Sequence, residues 1–242
     1  MAGAAPADAG SRPDGLRGFL PSRDGFAFGN TWPPAPAITV RTPLLRIGIG
    51  NDAAGLCGGM VFAALDYWCR AVRPPAARPA PGSPLHAYIV RRLIASWHMP
   101  GGVARYYLWM NLPDGDASRY LLGRPVVTHG VSWRTITGQW PRIRARLDRG
   151  FPVPLGLVTV ASANPVKLRH NHQALAFGYG VSGTVVTLRV YDPNSGGDDG
   201  VWIRFDASSP SRPTAFAHNL RLGWPVRGFF RAAYSPATPP AS

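Results

Sequence analysis

The stretch "GLCGGMVFAALDYW" (residues 55–68) decides how the rest of the chain is read. Apolar residues at 57, 61, 64, 65, 68 and 72 follow a helical period, so a helix is expected from Cys57 to about Val72. It opens on a cysteine among glycines, although a glycine costs about 1 kcal/mol in a helix interior. Gly58 and Gly59 therefore imply that something approaches this backbone closely, and the expectation is a substrate carbonyl, with both glycines keeping an oxyanion pocket clear. On the same period Asp66 falls on the solvent side, and Cys69 lies deep in the helix as an ordinary, inert thiol.

Working outward, the residues before this helix hold little helical signal. Residues 1–24 are small, polar and rich in Pro and Gly, and are expected to form a disordered leader. "GFAFGNTWPPAPA" (25–37) sets aromatics among prolines and suits an irregular arm, and "ITVRTPLLRIGIG" (38–50) suits short extended structure. Downstream, the Pro-rich segment 73–84 stops the first helix. Further helices are expected over 84–99, around 102–112, and over 137–150, the last with Thr137 near its start and Gly150 just past its end. The period then changes to extended runs at 151–160, 172–180, 184–192, 200–206 and 226–234. Helices first and strands second predict an α+β fold, the nucleophile helix leading and an antiparallel sheet following. The expected organisation is one domain over 25–234, with a disordered tail over 235–242. No internal repeat is visible.

Composition excludes several classes. Of 242 residues 45% are hydrophobic and 11% aromatic, enough for a sizeable core and too many for global disorder. The net charge of +14 would suit a nucleic acid or an anionic surface. Yet Lys167 is the only lysine, so 25 of the 26 basic residues are arginine, and all 12 acids are aspartate. With the abundant Ala, Pro and Gly, this is the codon preference of a GC-rich genome, and the arginines are scattered. A nucleic-acid partner is therefore not expected. Cys57 and Cys69 on one helix stand roughly 18 Å apart, whereas a disulfide needs Cα atoms within about 7 Å. Two unpaired thiols suit a reducing compartment. The first residues lack the apolar core of a signal peptide, and no run reaches the ~18 apolar residues of a membrane span. The expectation is a soluble, cytoplasmic protein.

Three segments carry chemistry. Cys57 opens a helix, where unpaired N–H groups and the macrodipole favour a thiolate and leave the Cys57 N–H available to an oxyanion. In "RHNHQALAFGYG" (169–180), His172 opens an apolar strand, while His170, two residues earlier, is expected to face solvent. In "RVYDPNSGGDDG" (189–200), Asp192 ends the next strand, so that adjacent antiparallel strands bring it to His172. The "HNH" run lacks a further Cys/His cluster for a metal. "DPNSGGDDG" lacks the EF-hand pattern and suits a tight turn. No metal or organic cofactor is required.

Together these segments resemble the papain-like cysteine peptidases. They are especially similar to bacterial peptidase domains of the bacteriocin-processing, double-glycine type and their uncharacterised relatives. The shared order is a helix, a "G-x-P-V" strand, "H-Q" and "D-P-N", here "LDRGFPVPLGL", "NHQALAFGYG" and "VYDPN". The resemblance covers roughly residues 45–206. It implies Cys57 as nucleophile, His172 as general base and acid, Asp192 as its orienter, and Asn51, six residues before the cysteine, as side-chain oxyanion donor beside the Cys57 N–H. Papain has Trp directly after its nucleophile and usually Gln at the position of Asn51, and the 73–136 region matches nothing in the family. The implied activity is acyl transfer on a peptide or protein substrate, as peptidase or amidase; related folds also run transglutamination and deamidation. The alternative is a catalytically silent papain-like module that binds a peptide or protein in its cleft.

Overall fold

The computed structural model describes residues 18–32, 38–41, 46–49, 55–122 and 124–241. In chain order the elements are α1 (Pro21–Asp24), β1 (Ile38–Arg41), β2 (Arg46–Ile49), α2 (Cys57–Cys69), α3 (Pro84–Ser96), α4 (Gly101–Met110), β3 (Ala117–Leu121), β4 (Arg124–Thr128), α5 (Val131–Trp133), α6 (Trp140–Asp148), β5 (Val153–Val158), β6 (His172–Ser182), β7 (Val185–Tyr191), β8 (Trp202–Asp206), β9 (Ala217–His218) and β10 (Gly228–Arg231). Helices precede the main sheet, as an α+β organisation requires. That sheet has six strands in the order β10-β5-β6-β7-β8-β9, every pair antiparallel.

The main sheet is buried on both faces. On one side α2, α3 and the arm residues Phe19, Phe26 and Phe28 pack with Leu175 of β6 and Tyr191 of β7. On the other, Ile136, Trp140 and Ile143 cover Leu155, Ala174, Ala176, Leu188 and Phe229. β6 alternates between these two cores, with Leu175 in the first and Ala174 and Ala176 in the second. α2 has no solvent face over most of its length, since Gly58 to Trp68 are all buried. Burial on all sides locks the helix that carries Cys57 into the centre of the first core.

Asp66 is thereby a correction to the periodicity reading. It is fully buried, with Arg92 Nε of α3 2.6 Å from Oδ2. The Tyr88 and Tyr234 hydroxyls donate to it at 2.8 and 2.7 Å, and the Ala237 N–H at 2.8 Å. A period locates the polar side of a helix only when that side meets water, and here it meets α3 and the C-terminal segment. Residues 235–241 are accordingly packed. Arg92 donates to the Ser235 carbonyl at 2.8 Å, and the Tyr67 hydroxyl to the Pro240 carbonyl at 3.1 Å. At the other end Phe19 is buried and α1 lies within the stretch expected to be a disordered leader. Both expected tails thus lose residues to the core, because Phe19 and Tyr234 supply apolar anchors that the flanking Pro and Gly obscure.

Two further elements differ from expectation. The helix expected from residue 137 begins at Val131, running through a π-helical stretch (Arg134–Gln139) into α6. Thr137 therefore does not cap it; its hydroxyl donates to the Trp133 carbonyl at 2.6 Å, one turn back. β3 and β4 form a separate two-stranded hairpin inside the 73–136 region. Nearly every residue of these strands is exposed, so no alternation of apolar and polar positions marked them.

Candidate active site

Cys57 is the first residue of α2. The helix begins without a side-chain cap, so its opening N–H groups are turned toward whatever anion sits there. The preceding turn is fixed from the arm. Asn30 Oδ1 accepts the Leu56 N–H at 2.8 Å and the Trp32 indole N–H at 3.0 Å, while its Nδ2 donates to Asn194 Oδ1 at 3.2 Å. The Asn30 backbone N–H donates to the Pro193 carbonyl at 2.9 Å. One side chain thus ties the turn before Cys57 to the turn that follows Asp192. Gly55 admits this contact, because a Cβ there would run into the Asn30 amide.

His172 opens β6, and its Nε2 lies 2.8 Å from Asp192 Oδ1. That leaves the other ring nitrogen, Nδ1, for the Cys57 thiol, with which His172 shares a side-chain hydrogen bond. Asp192 caps a short 3-10 turn (Pro193–Ser195), which glycines 196 and 197 close with positive φ. Its carboxylate accepts from the Asn194 N–H at 3.0 Å, the Arg221 N–H at 3.1 Å and the Ser195 hydroxyl at 3.2 Å. With His172, four donors converge on one buried carboxylate, so the acid is held ionised and the ring cannot rotate. The "DPNSGGDDG" segment is the tight turn its composition suggested.

The electrostatics follow from this geometry. Burial pushes the Cys57 thiol up, but the charge of His172, its hydrogen bond, and the N–H groups of Gln173 and Gly58 outweigh it, leaving the thiol below its ordinary range. Burial pushes His172 down, yet the Cys57 thiolate and Asp192 raise it to about 10. Burial raises Asp192 and its hydrogen bonds, led by His172, lower it further than burial lifts it. These directions favour a thiolate–imidazolium pair with a carboxylate behind it. Cys69 is the contrast. Burial raises its thiol, and its sulfur lies 3.8 Å from the Tyr234 hydroxyl.

The glycines have a different purpose from the one expected. A Cβ on Gly58 would collide with Ser96 Oγ and approach Gln173 Nε2 to 2.7 Å, and one on Gly59 would collide with the Ile89 carbonyl. Gly59 admits α3, and Gly58 admits the Ser96–Gln173 pair, joined at 3.1 Å. What approaches the backbone is the protein itself. The Gln173 backbone N–H is one of the groups that donate to the Cys57 sulfur.

The structure brings together Cys57, His172 and Asp192. Asn51 lies outside the described residues. His170 ends a 3-10 turn (Pro165–His170) rather than sitting on a strand, and is half-buried with its ring 5.3 Å from that of Trp224. Tyr106 of α4 went unnoticed in the sequence. Its hydroxyl donates to the His172 carbonyl at 3.1 Å, and burial followed by the negative charge of Cys57 raises the phenol well above its usual range. Gly156 of β5 makes room for that hydroxyl. No sequence signal separates Tyr106 from its neighbour Tyr107. Among the described residues no group of three or more His, Cys, Asp or Glu side chains is placed to hold a metal ion, and no helix is long and apolar enough to cross a membrane.

No protein-family model, curated protein or solved structure was found that matches this chain significantly.

Proposed function

We propose that this chain is a cysteine-dependent acyl-transfer enzyme of papain-like architecture, most simply a peptidase or amidase. One observation carries the reading: a half-buried thiol at a helix N-terminus shares a hydrogen bond with an imidazole whose far nitrogen meets a buried carboxylate at 2.8 Å. A structural cysteine has no need of that arrangement, since burial alone would raise its thiol. The helix-then-sheet order, with His172 opening β6 and Asp192 directly following the adjacent β7, supports the papain-like assignment.

In the proposed reaction the Cys57 thiolate attacks a substrate amide carbonyl. A C–S bond forms, and the carbonyl π electrons move to an oxyanion beside the Cys57 N–H, with Asn51 as the second donor implied by the resemblance. His172 gives its Nδ1 proton to the amide nitrogen. The C–N bond breaks, releasing the amine and leaving a thioester. His172 then takes a proton from water as hydroxide equivalent adds to the thioester, and C–S cleavage returns the thiolate and a carboxylic acid. Asp192 keeps Nδ1 aimed at sulfur and steadies the imidazolium.

The test is the pH dependence of Cys57 alkylation by iodoacetamide, read by mass spectrometry with Cys69 as internal control. Cys57 should react as a thiolate below pH ~7, where a free thiol of pKa about 8.5 is largely protonated. In His172→Ala that behaviour should disappear. Titration of Cys57 in the free-thiol range, with or without His172, would overturn the proposal.

A further inference from the structure

The hairpin β3–β4 stands apart from both cores, its strands pairing only with each other. Its end is strongly apolar and uncovered: Tyr120 is 79% exposed, Leu121 64% and Leu122 96%. Val126 and Val127 add to this surface. Isolated large apolar side chains on a surface are ordinary, but a run of them at the end of a projecting hairpin marks an interaction site. A free-standing two-stranded ribbon is also marginal in water by itself.

The register sorts its side chains. Tyr120 faces Pro125, and Ser118 faces Val127, so these share one face, which holds no charge. Arg119 faces Val126 and Leu121 faces Arg124, which puts both arginines on the opposite face, Arg124 level with Leu121 at the apolar end and Arg119 two positions further back. Arg119 and Arg124 are exposed and in no ion pair with a described residue. The element is thus a convex apolar prong with one cation level with its end and a second set back from it, on a protein of net charge +14.

We propose that this hairpin docks the protein on an anionic lipid surface, with Tyr120, Leu121 and Leu122 entering the headgroup region and Arg119 and Arg124 meeting lipid phosphates. Charge complementarity favours this occupant. Apolar side chains backed by arginines match the layered chemistry of a bilayer interface, acyl chains below and anionic phosphate above. A convex prong also needs a yielding partner, and lipid headgroups part around it. The interaction is interfacial and reversible, since one hairpin supplies both anchors.

The experiment is sedimentation of the full chain with vesicles of phosphatidylcholine alone or mixed with phosphatidylglycerol. Binding should appear only with the anionic lipid and weaken with salt. The L121S/L122S variant should lose it, and each of Arg119→Gln and Arg124→Gln should weaken it about fivefold. Tyr120→Trp should report insertion by a blue shift of the emission it adds, obtained by difference from the unsubstituted chain. Because the hairpin lies outside both cores, the variants should keep the parent's melting temperature and Cys57 alkylation rate. Unchanged vesicle binding by L121S/L122S would mean that charge spread over the whole surface holds the protein there, and would overturn the proposal. So would failure to bind anionic vesicles, or a concentration-dependent dimer that L121S/L122S abolishes, which would give the prong to a second copy.

Discussion

At Gly58 the requirement is for the absence of a side chain. Ser96 Oγ and Gln173 Nε2 occupy the space a Cβ would take, and Ser96 is itself held by donation to the Leu93 carbonyl at 2.7 Å. Gly58→Ala should therefore cost about 1–3 kcal/mol through overpacking, despite the better helix propensity of alanine. The displaced Gln173 side chain adjoins the backbone N–H that donates to the sulfur, so Cys57 alkylation should slow as well. Denaturant melts and alkylation rates on the same preparation check both effects; unchanged values for both would show that Ser96 and Gln173 yield freely. Asp192 makes a second residue-scale case. Asp192→Asn replaces an acceptor-only group with an amide that must direct donors at some of the same four neighbours. The imidazolium loses its partner, so the Cys57 thiol should titrate at higher pH than in the parent, measured by the same alkylation profile. Substrate turnover, once a substrate is found, should fall with it. A profile unmoved by the substitution would remove Asp192 from the site.

Between elements, two polar contacts hold the first core around Cys57. Asn30 joins the arm, the turn before α2 and the turn after Asp192. Asn30→Ala leaves the Leu56 N–H and the Trp32 indole without their acceptor, a loss of about 1–3 kcal/mol. It should lower Cys57 reactivity as well as stability, since the helix start is no longer tied to the turn after Asp192. A drop in melting temperature with an unaltered alkylation profile would make Asn30 purely structural. The second contact is the Asp66–Arg92 pair under the C-terminal segment. Asp66→Ala strands a buried guanidinium and should cost about 3–5 kcal/mol, whereas Asp66→Ala combined with Arg92→Met should recover most of it. Equilibrium unfolding of the single and double variants decides this, and equal losses in both would show that the charge is not what matters. Neither contact was visible in the sequence, for a common reason: the partners that join elements, Leu56 and Asn194 for Asn30 and Arg92 and Tyr234 for Asp66, lie 26 or more positions away. Their role depends on which elements pack together, and periodicity reports only the element itself.

Across the whole molecule, what could be read in advance were local patterns with a fixed period or chemistry. The helical spacing after Cys57, the change to extended runs after residue 150, and the strand-end positions of His172 and Asp192 all depend on residues close in sequence. Tyr106, Ser96 and the Gly58 contact depend on how α3 and α4 dock, and the hairpin β3–β4 lacks the buried face that would have marked its strands. The assembled site has a consequence for stability as a function of pH. In the unfolded chain a histidine binds a proton below pH ~6.5 and a thiol releases its own above about 8.5. In the native state the pair already carries its single proton on His172 from the lowered Cys57 value up to about 10. Where alkylation places the Cys57 midpoint below pH ~6.5, the unfolded chain binds one proton more between that midpoint and ~6.5, and stability rises with pH by about 1.4 kcal/mol per unit on account of this pair. Between about 6.5 and 8.5 the pair contributes no slope. Above that the native state holds the extra proton, and stability declines until His172 deprotonates. His86, His170 and His218, each lowered mainly by burial, add slope of the same sign on the acid side. The pair's own share is thus the difference between parent and His172→Ala, whose remaining buried thiol is neutral in both states at acid pH. Denaturant unfolding at a series of pH values should show the variant's acid slope shallower by one proton's worth. Equal slopes would mean that His172 and Cys57 stay neutral together in the folded protein, and the thiolate–imidazolium description would fail.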